Sequence, residues 1–149
     1  MFTRRQFLQL CLKGMGTYSL SPLLIPKLAE ALEAIDKKPE VIWFEASTCA
    51  GNFFSFLNTL NPSLRKLLFE SINLRHSATL MTAEGVKALE ILEERMEEGD
   101  YILIVEGTIP TRDNGMYGVA HLMEDGTPVT HLEMVRRLGE KAKTIIAAG

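Results

Sequence analysis

Tyr101-Ile102-Leu103-Ile104-Val105 is an unbroken apolar run that ends on Glu106. A short continuous run of this kind predicts a strand buried on both faces. Val41-Ile42-Trp43-Phe44 has the same character, and Thr144 to Ala147 and the more exposed Ile72 to His76 complete the strands. Between them the apolar spacing turns helical. Phe53, Phe54, Phe56, Leu57 and Leu60 suit a short helix. Asn61-Pro62-Ser63 starts another, with Pro62 in its first turn and Leu64, Leu67, Leu68 and Ile72 at helical spacing. Thr82 reads as the cap of a third helix, whose stripe is Val86, Leu89, Leu92 and Met96 and whose stop is Gly99. Leu132, Val135, Leu138 and Ala142 mark the last.

The order β-α-β-α-β-loop-α-β predicts an α/β fold: an open parallel sheet with helices on both faces. The long loop from Glu106 to Pro128 exceeds most connections and is therefore a functional candidate. Within it, Val119 to Glu124 and Thr127 to Thr130 suit a hairpin turning at Asp125-Gly126. Ligands of such sheets bind beyond the carboxyl ends of the strands. Those ends are Glu45–Gly51, Glu106–Pro110 and Ala148–Gly149.

The chain has 149 residues, 46% hydrophobic and 23% charged, which suits one globular domain. Its two cysteines, Cys11 and Cys49, cannot build a multi-bridge disulfide scaffold or a four-cysteine metal site. A net charge of −3 gives no reason to expect a nucleic-acid partner. The positive charge gathers at the start, where Arg4, Arg5, Lys13 and Lys27 meet only Glu30. A basic start followed by a modestly apolar stretch is the pattern of an export signal, and Arg4-Arg5 with Phe7 resembles the twin-arginine type. Ala29-Glu30-Ala31 offers a cleavage site. The expected organisation is a signal over residues 1–31, a linker over 32–40 and the folded domain over 41–149.

Cys49 stands on a turn after a strand and before a helix, a setting that suits a metal-binding thiol. Glu106 follows a buried strand directly and is well placed to meet a ligand or a neighbouring subunit. His76, His121 and His131 lack the spacing of a metal pair and read as structural or surface residues. The run Glu93, Glu94, Glu97 and Glu98 reads as a solvated face. Neither GxGxxG nor a Walker pattern is present, so a nucleotide site is not favoured. No catalytic residue is assigned.

Three segments carry a family resemblance. Val41-Ile42-Trp43-Phe44, Cys49-x-Gly51 and Ser55-Phe56-Leu57 form the first, and Thr79-Leu80-Met81-Thr82-Ala83-Glu84-Gly85 the second. Ile104-Val105-Glu106-Gly107-x-Ile109-Pro110-Thr111, with Gly115 and Tyr117, forms the third. In this order they resemble the N-terminal portion of nickel–iron hydrogenase small subunits. The resemblance implies a flavodoxin-like domain in an electron-transfer subunit that is exported to the periplasm or the outer face of the membrane. It implies a 4Fe–4S cluster, a large subunit holding the nickel–iron site, and a membrane electron acceptor subunit as partners.

By the same resemblance Cys49 is the first cluster ligand, and Glu106 lies near the cluster and the large-subunit interface. Asn52 stands where the family has its second cysteine, and a neutral amide is a poor substitute for thiolate on iron. Gly149 comes just before the family's third ligand, so the sheet is expected to be truncated after its fourth strand, Thr144 to Ala147, leaving it a bare edge. Two other readings stand beside this one. The chain could be a cluster-less remnant or binding module that contacts a hydrogenase large subunit. Alternatively it is a flavodoxin-like FMN or nucleotide-binding protein.

Overall fold

The computed structural model describes residues 38–123 and 125–149. The expected signal over residues 1–31, its expected cleavage site and Cys11 lie outside the described residues.

Four strands form one sheet: β1 (Glu40–Glu45), β2 (Asn73–Ser77), β3 (Ile102–Glu106) and β6 (Thr144–Ala148). They are ordered β2-β1-β3-β6 and every pairing is parallel. This is the expected α/β arrangement, with β6 at one edge. β1 begins at Glu40, one residue inside the stretch read as linker.

The register assigns the two faces. Ile42 pairs with Leu103 and Phe44 with Val105, while Trp43 pairs with Ile104 and Glu45 with Glu106. Side chains alternate across a strand, so the first set faces one side and the second the other. On the first side, Ile42, Phe44, Leu103 and Val105 pack with Leu92 and Met96 of α3 (Gly85–Glu98) and with Met134 and Leu138 of α4 (His131–Lys141). On the second, Trp43 meets Phe53 and Phe56 of α1 (Gly51–Leu57), with ring centroids 4.9 and 5.3 Å apart. Helices therefore cover both faces. Tyr101, 1% exposed, donates its hydroxyl to the Leu138 carbonyl at 2.6 Å, and burial pushes its pKa up to about 12.

Several local expectations are corrected. The helix after Pro62 is short: α2 covers Leu64–Lys66 and widens into a π turn over Leu67–Ser71. Its cap is Ser63, whose Oγ accepts from the Lys66 N–H, so Pro62 precedes the helix. Thr82 does not cap α3. A turn and a bend separate β2 from Glu84, the extended N-cap, which makes no side-chain capping bond, and the helix starts at Gly85. Val86, in its first turn, is 69% exposed because only the later turns, at Leu92 and Met96, reach the core.

In α4 the fully buried positions are Met134 and Leu138 rather than Leu132 and Val135. The hairpin forms as expected, from β4 (Val119–Leu122) and β5 (Pro128–Thr130), and β5 leads directly into α4, where the Thr130 hydroxyl accepts from the Glu133 N–H at 3.2 Å. No helix among the described residues is long and apolar enough to cross a membrane.

Candidate functional site

Glu106 is the last residue of β3 and is 0% exposed. Alternation places its side chain on the α1 side of the sheet, two residues beyond Ile104. Its carboxylate gathers the turn between β1 and α1. Oε2 accepts from the Trp43 indole N–H at 3.0 Å and from the Phe53 N–H at 3.1 Å. Oε1 accepts from the Thr48 hydroxyl at 2.9 Å and the Asn52 N–H at 3.0 Å, with the Asn52 side-chain amide at 3.4 Å. Burial alone would raise its pKa, but the hydrogen bonds from Asn52, Thr48, Trp43 and Phe53 outweigh it and hold the carboxyl below the ordinary glutamate value. The carboxylate thereby satisfies the first N–H groups of α1, which no local side chain caps.

The turn is tied to the chain after β3. Ser47 and Thr108 exchange backbone hydrogen bonds at 3.1 and 3.2 Å, and the Ala46 N–H reaches the Glu106 carbonyl at 2.9 Å. This brings Gly107, at φ +98°, against the turn. A Cβ there would lie 2.7 Å from the Thr48 Cβ and 2.8 Å from the Ser47 carbonyl oxygen, so only glycine fits. Ala50 takes a left-handed conformation, φ 58°, to swing the chain into α1. Cys49 is exposed, with Sγ 3.3 Å from where a Gly51 Cβ would sit. Gly149 follows β6 beside the same turn, where its Cβ would lie 3.0 Å from the Asn52 Nδ2. The sheet therefore brings Cys49, Asn52, Glu106 and Gly149 together at its carboxyl end.

The histidines also converge. His76, His121 and His131 line a single cavity on the α3–α4 side of the sheet. The His131 Nδ1 lies 3.1 Å from the Ser47 Oγ, and the His76 Nδ1 lies 3.5 Å from the Trp43 carbonyl. Burial lowers the pKa of both rings. Sequence reasoning missed this grouping because spacing shows only neighbours along the chain. The available signal is that His76 lies near the carboxyl end of a strand and His131 directly follows one.

The family model described as NADH ubiquinone oxidoreductase, 20 Kd subunit, matches residues 49–149. The periplasmic [NiFeSe] hydrogenase small subunit of Desulfomicrobium baculatum is 33% identical over 99% of this chain and 49% of its own length. The hydrogenase-2 small chain of Escherichia coli (strain K12) is 34% identical over 98% of this chain and 38% of its own. Among solved structures, the Dm. baculatum [NiFeSe]-hydrogenase aligns at a TM-score of 0.69 and 35% identity, over 74% of this chain and 42% of that one. The chain spans about half the length, or less, of the curated relatives it matches.

Proposed function

This chain belongs to the NADH ubiquinone oxidoreductase 20 Kd subunit family and is related to the N-terminal portion of nickel–iron hydrogenase small subunits, and from that membership we propose that it serves as the electron-transfer small subunit of an exported nickel–iron hydrogenase. Its partner in this reading is a large subunit that holds the nickel–iron site, with electrons passed onward to a membrane acceptor. The supporting observation is the Glu106 clasp, which fixes the turn carrying Cys49 at the carboxyl end of the sheet. The periplasmic names of relatives and the Arg4-Arg5 leader support export.

A family iron–sulfur cluster of the 4Fe–4S type takes a thiolate on each iron. Among the described residues Cys49 is the one thiol. The Glu106 oxygens are occupied by hydrogen bonds, and the Asn52 side-chain nitrogen is turned toward them. No group of three histidine, cysteine or acidic side chains among the described residues is placed to hold a metal ion. These residues do not fit a closed four-iron site. Any relay through such a cluster needs thiolates from outside residues 38–149.

Asn52 carries the second reading, a cluster-less module that contacts the large subunit. A flavin or nucleotide reading has less support, because the Asn52 and Phe53 N–H groups that would receive a phosphate already bond Glu106. Co-expression with a nickel–iron large subunit tests the proposal. Co-purification at equal stoichiometry is the expected result, and an iron–sulfur electron paramagnetic resonance signal in the complex would show that thiolates from outside residues 38–149 complete the relay. Co-purification without that signal selects the cluster-less module, and no association defeats both readings.

A further inference from the structure

All three histidines of this chain line one cavity of about 270 Å³. It lies at the carboxyl ends of β1 and β2, between α3, β4 and α4, on the opposite side of the sheet from α1. Small residues create the space. Gly85 and Ala88 on α3, Ala78 after β2 and Ala120 on β4 leave room that larger side chains would fill. Phe44, Leu89, Leu92 and Met134 make the remaining wall apolar.

The polar groups in that wall are selective. The His76 Nδ1 faces a carbonyl, which only accepts, so the neutral ring carries its proton on Nδ1 and leaves Nε2 as an acceptor. The His131 Nδ1 is engaged by Ser47, and among the described residues its Nε2 has no partner. The His121 Nδ1 is buried without a partner among the described residues, and no contact there fixes that ring's tautomer. Among the described residues no lysine or arginine lines the cavity. The one charged residue in the lining, among the described residues, is Glu45, whose carboxylate lies on the Trp43 side of the sheet, bonded to Ser77 and Thr79. An anion would find no fixed positive charge there, and the side chains are not placed to hold a metal ion.

We propose that this cavity binds a small uncharged aromatic molecule carrying an O–H or N–H donor, of the phenol or azole class. Its ring packs against Ala88, Leu89 and Ala120, the partly exposed apolar part of the wall, and its donor bonds an imidazole nitrogen. Apolar walls with a few convergent polar groups are the usual make-up of a small-molecule site. The proposal stands apart from the hydrogenase reading, since it needs neither a partner subunit nor a cluster.

The test titrates the full chain, isotopically labelled, with phenol, benzoate and zinc in separate nuclear magnetic resonance experiments. Phenol is expected to give saturable shifts at the three histidines, with benzoate at least tenfold weaker and zinc without stoichiometric effect. Ala88→Leu, which fills the space, is expected to weaken phenol binding at least tenfold. Ala120→Val fills it from another element and serves if Ala88→Leu does not fold. Absence of saturable shifts, benzoate binding as tight as phenol, stoichiometric zinc on the histidines, or phenol binding unchanged in the filled variants would each overturn the proposal.

Discussion

The Trp43 indole N–H donates to the Glu106 carboxylate at 3.0 Å, joining the middle of β1 to the end of β3 across 63 residues of chain. Trp43 also packs edge-on against Phe53, whose own N–H donates to the same oxygen. One buried charge thus fastens two strands and the first turn of α1, which is why the Cys49 turn has a defined position.

Removing that charge should be costly. Glu106→Ala leaves the indole and two helix N–H groups buried without acceptors, a loss of about 3 kcal/mol. Glu106→Gln presents an NH₂ to groups that are themselves donors and should lose about 2 kcal/mol. Urea unfolding monitored by Trp43 fluorescence measures both. A loss below about 1 kcal/mol in the alanine variant would show that the clasp is dispensable.

Stability should fall on acidification in two stages. His76 and His131 have folded pKa values lowered by burial, so their contribution is complete above 6.5 and declines as pH falls from there toward the folded values. Glu106 also has a lowered folded value, so its contribution is complete above 4.5 and is lost as pH falls through the folded value. Unfolding free energies measured against pH should show both stages in the natural chain, with the lower one flattened in Glu106→Gln. Identical profiles below pH 4.5 would contradict the assignment.

Gly107→Ala should destabilise by about 3 kcal/mol, because it adds a backbone clash to an unfavourable φ. Gly126, at φ +82° with nothing within 4 Å of its Cβ position, separates the two effects. Gly126→Ala should cost about 1 kcal/mol, the conformational part alone. Thermal unfolding of the pair decides, and equal shifts would mean that Gly107 makes no special contact.

Anaerobic treatment of the chain alone with iron and sulfide should yield no stoichiometric four-iron cluster. Asn52→Cys should retain at least twice the iron, because it supplies a second thiolate beside Cys49. Iron and sulfide analysis with a visible spectrum reads this out. A full cluster in the natural chain would show that Asn52 is no obstacle.

The β6 edge should govern solubility. Among the described strands β6 pairs only with β3, and Ile145 and Ile146 are 56% and 45% exposed. Residues 32–149 expressed alone should self-associate, and Ile146→Lys should suppress it. Analytical ultracentrifugation that finds a monomer at high concentration without the substitution would count against this.

The strands and their parallel order were legible because buried parallel strands are continuous apolar runs, as 41–44 and 101–105 are. Helix starts were less so. Thr82 has the chemistry of a cap, yet the N-cap falls two residues later, on an extended Glu84. Periodicity points to Leu132 and Val135 where the structure buries Met134, because it gives the existence of an apolar face but not its rotation about the helix axis. Cys49 and Glu106 are legible in the sequence separately, each from its place after an apolar run.

The amino-acid sequence by itself determined the α/β class, the strand ends where ligands gather and the family resemblance, since all of these depend on local pattern and order. Only the tertiary structure decided that Glu106 spends its carboxylate on Trp43, Thr48, Asn52 and Phe53, and that three histidines far apart in the chain share a cavity. Hydrogen-bond partners across a sheet and side chains around a void are set by register and helix rotation. Those come from packing the whole core at once, and no local window of sequence contains them.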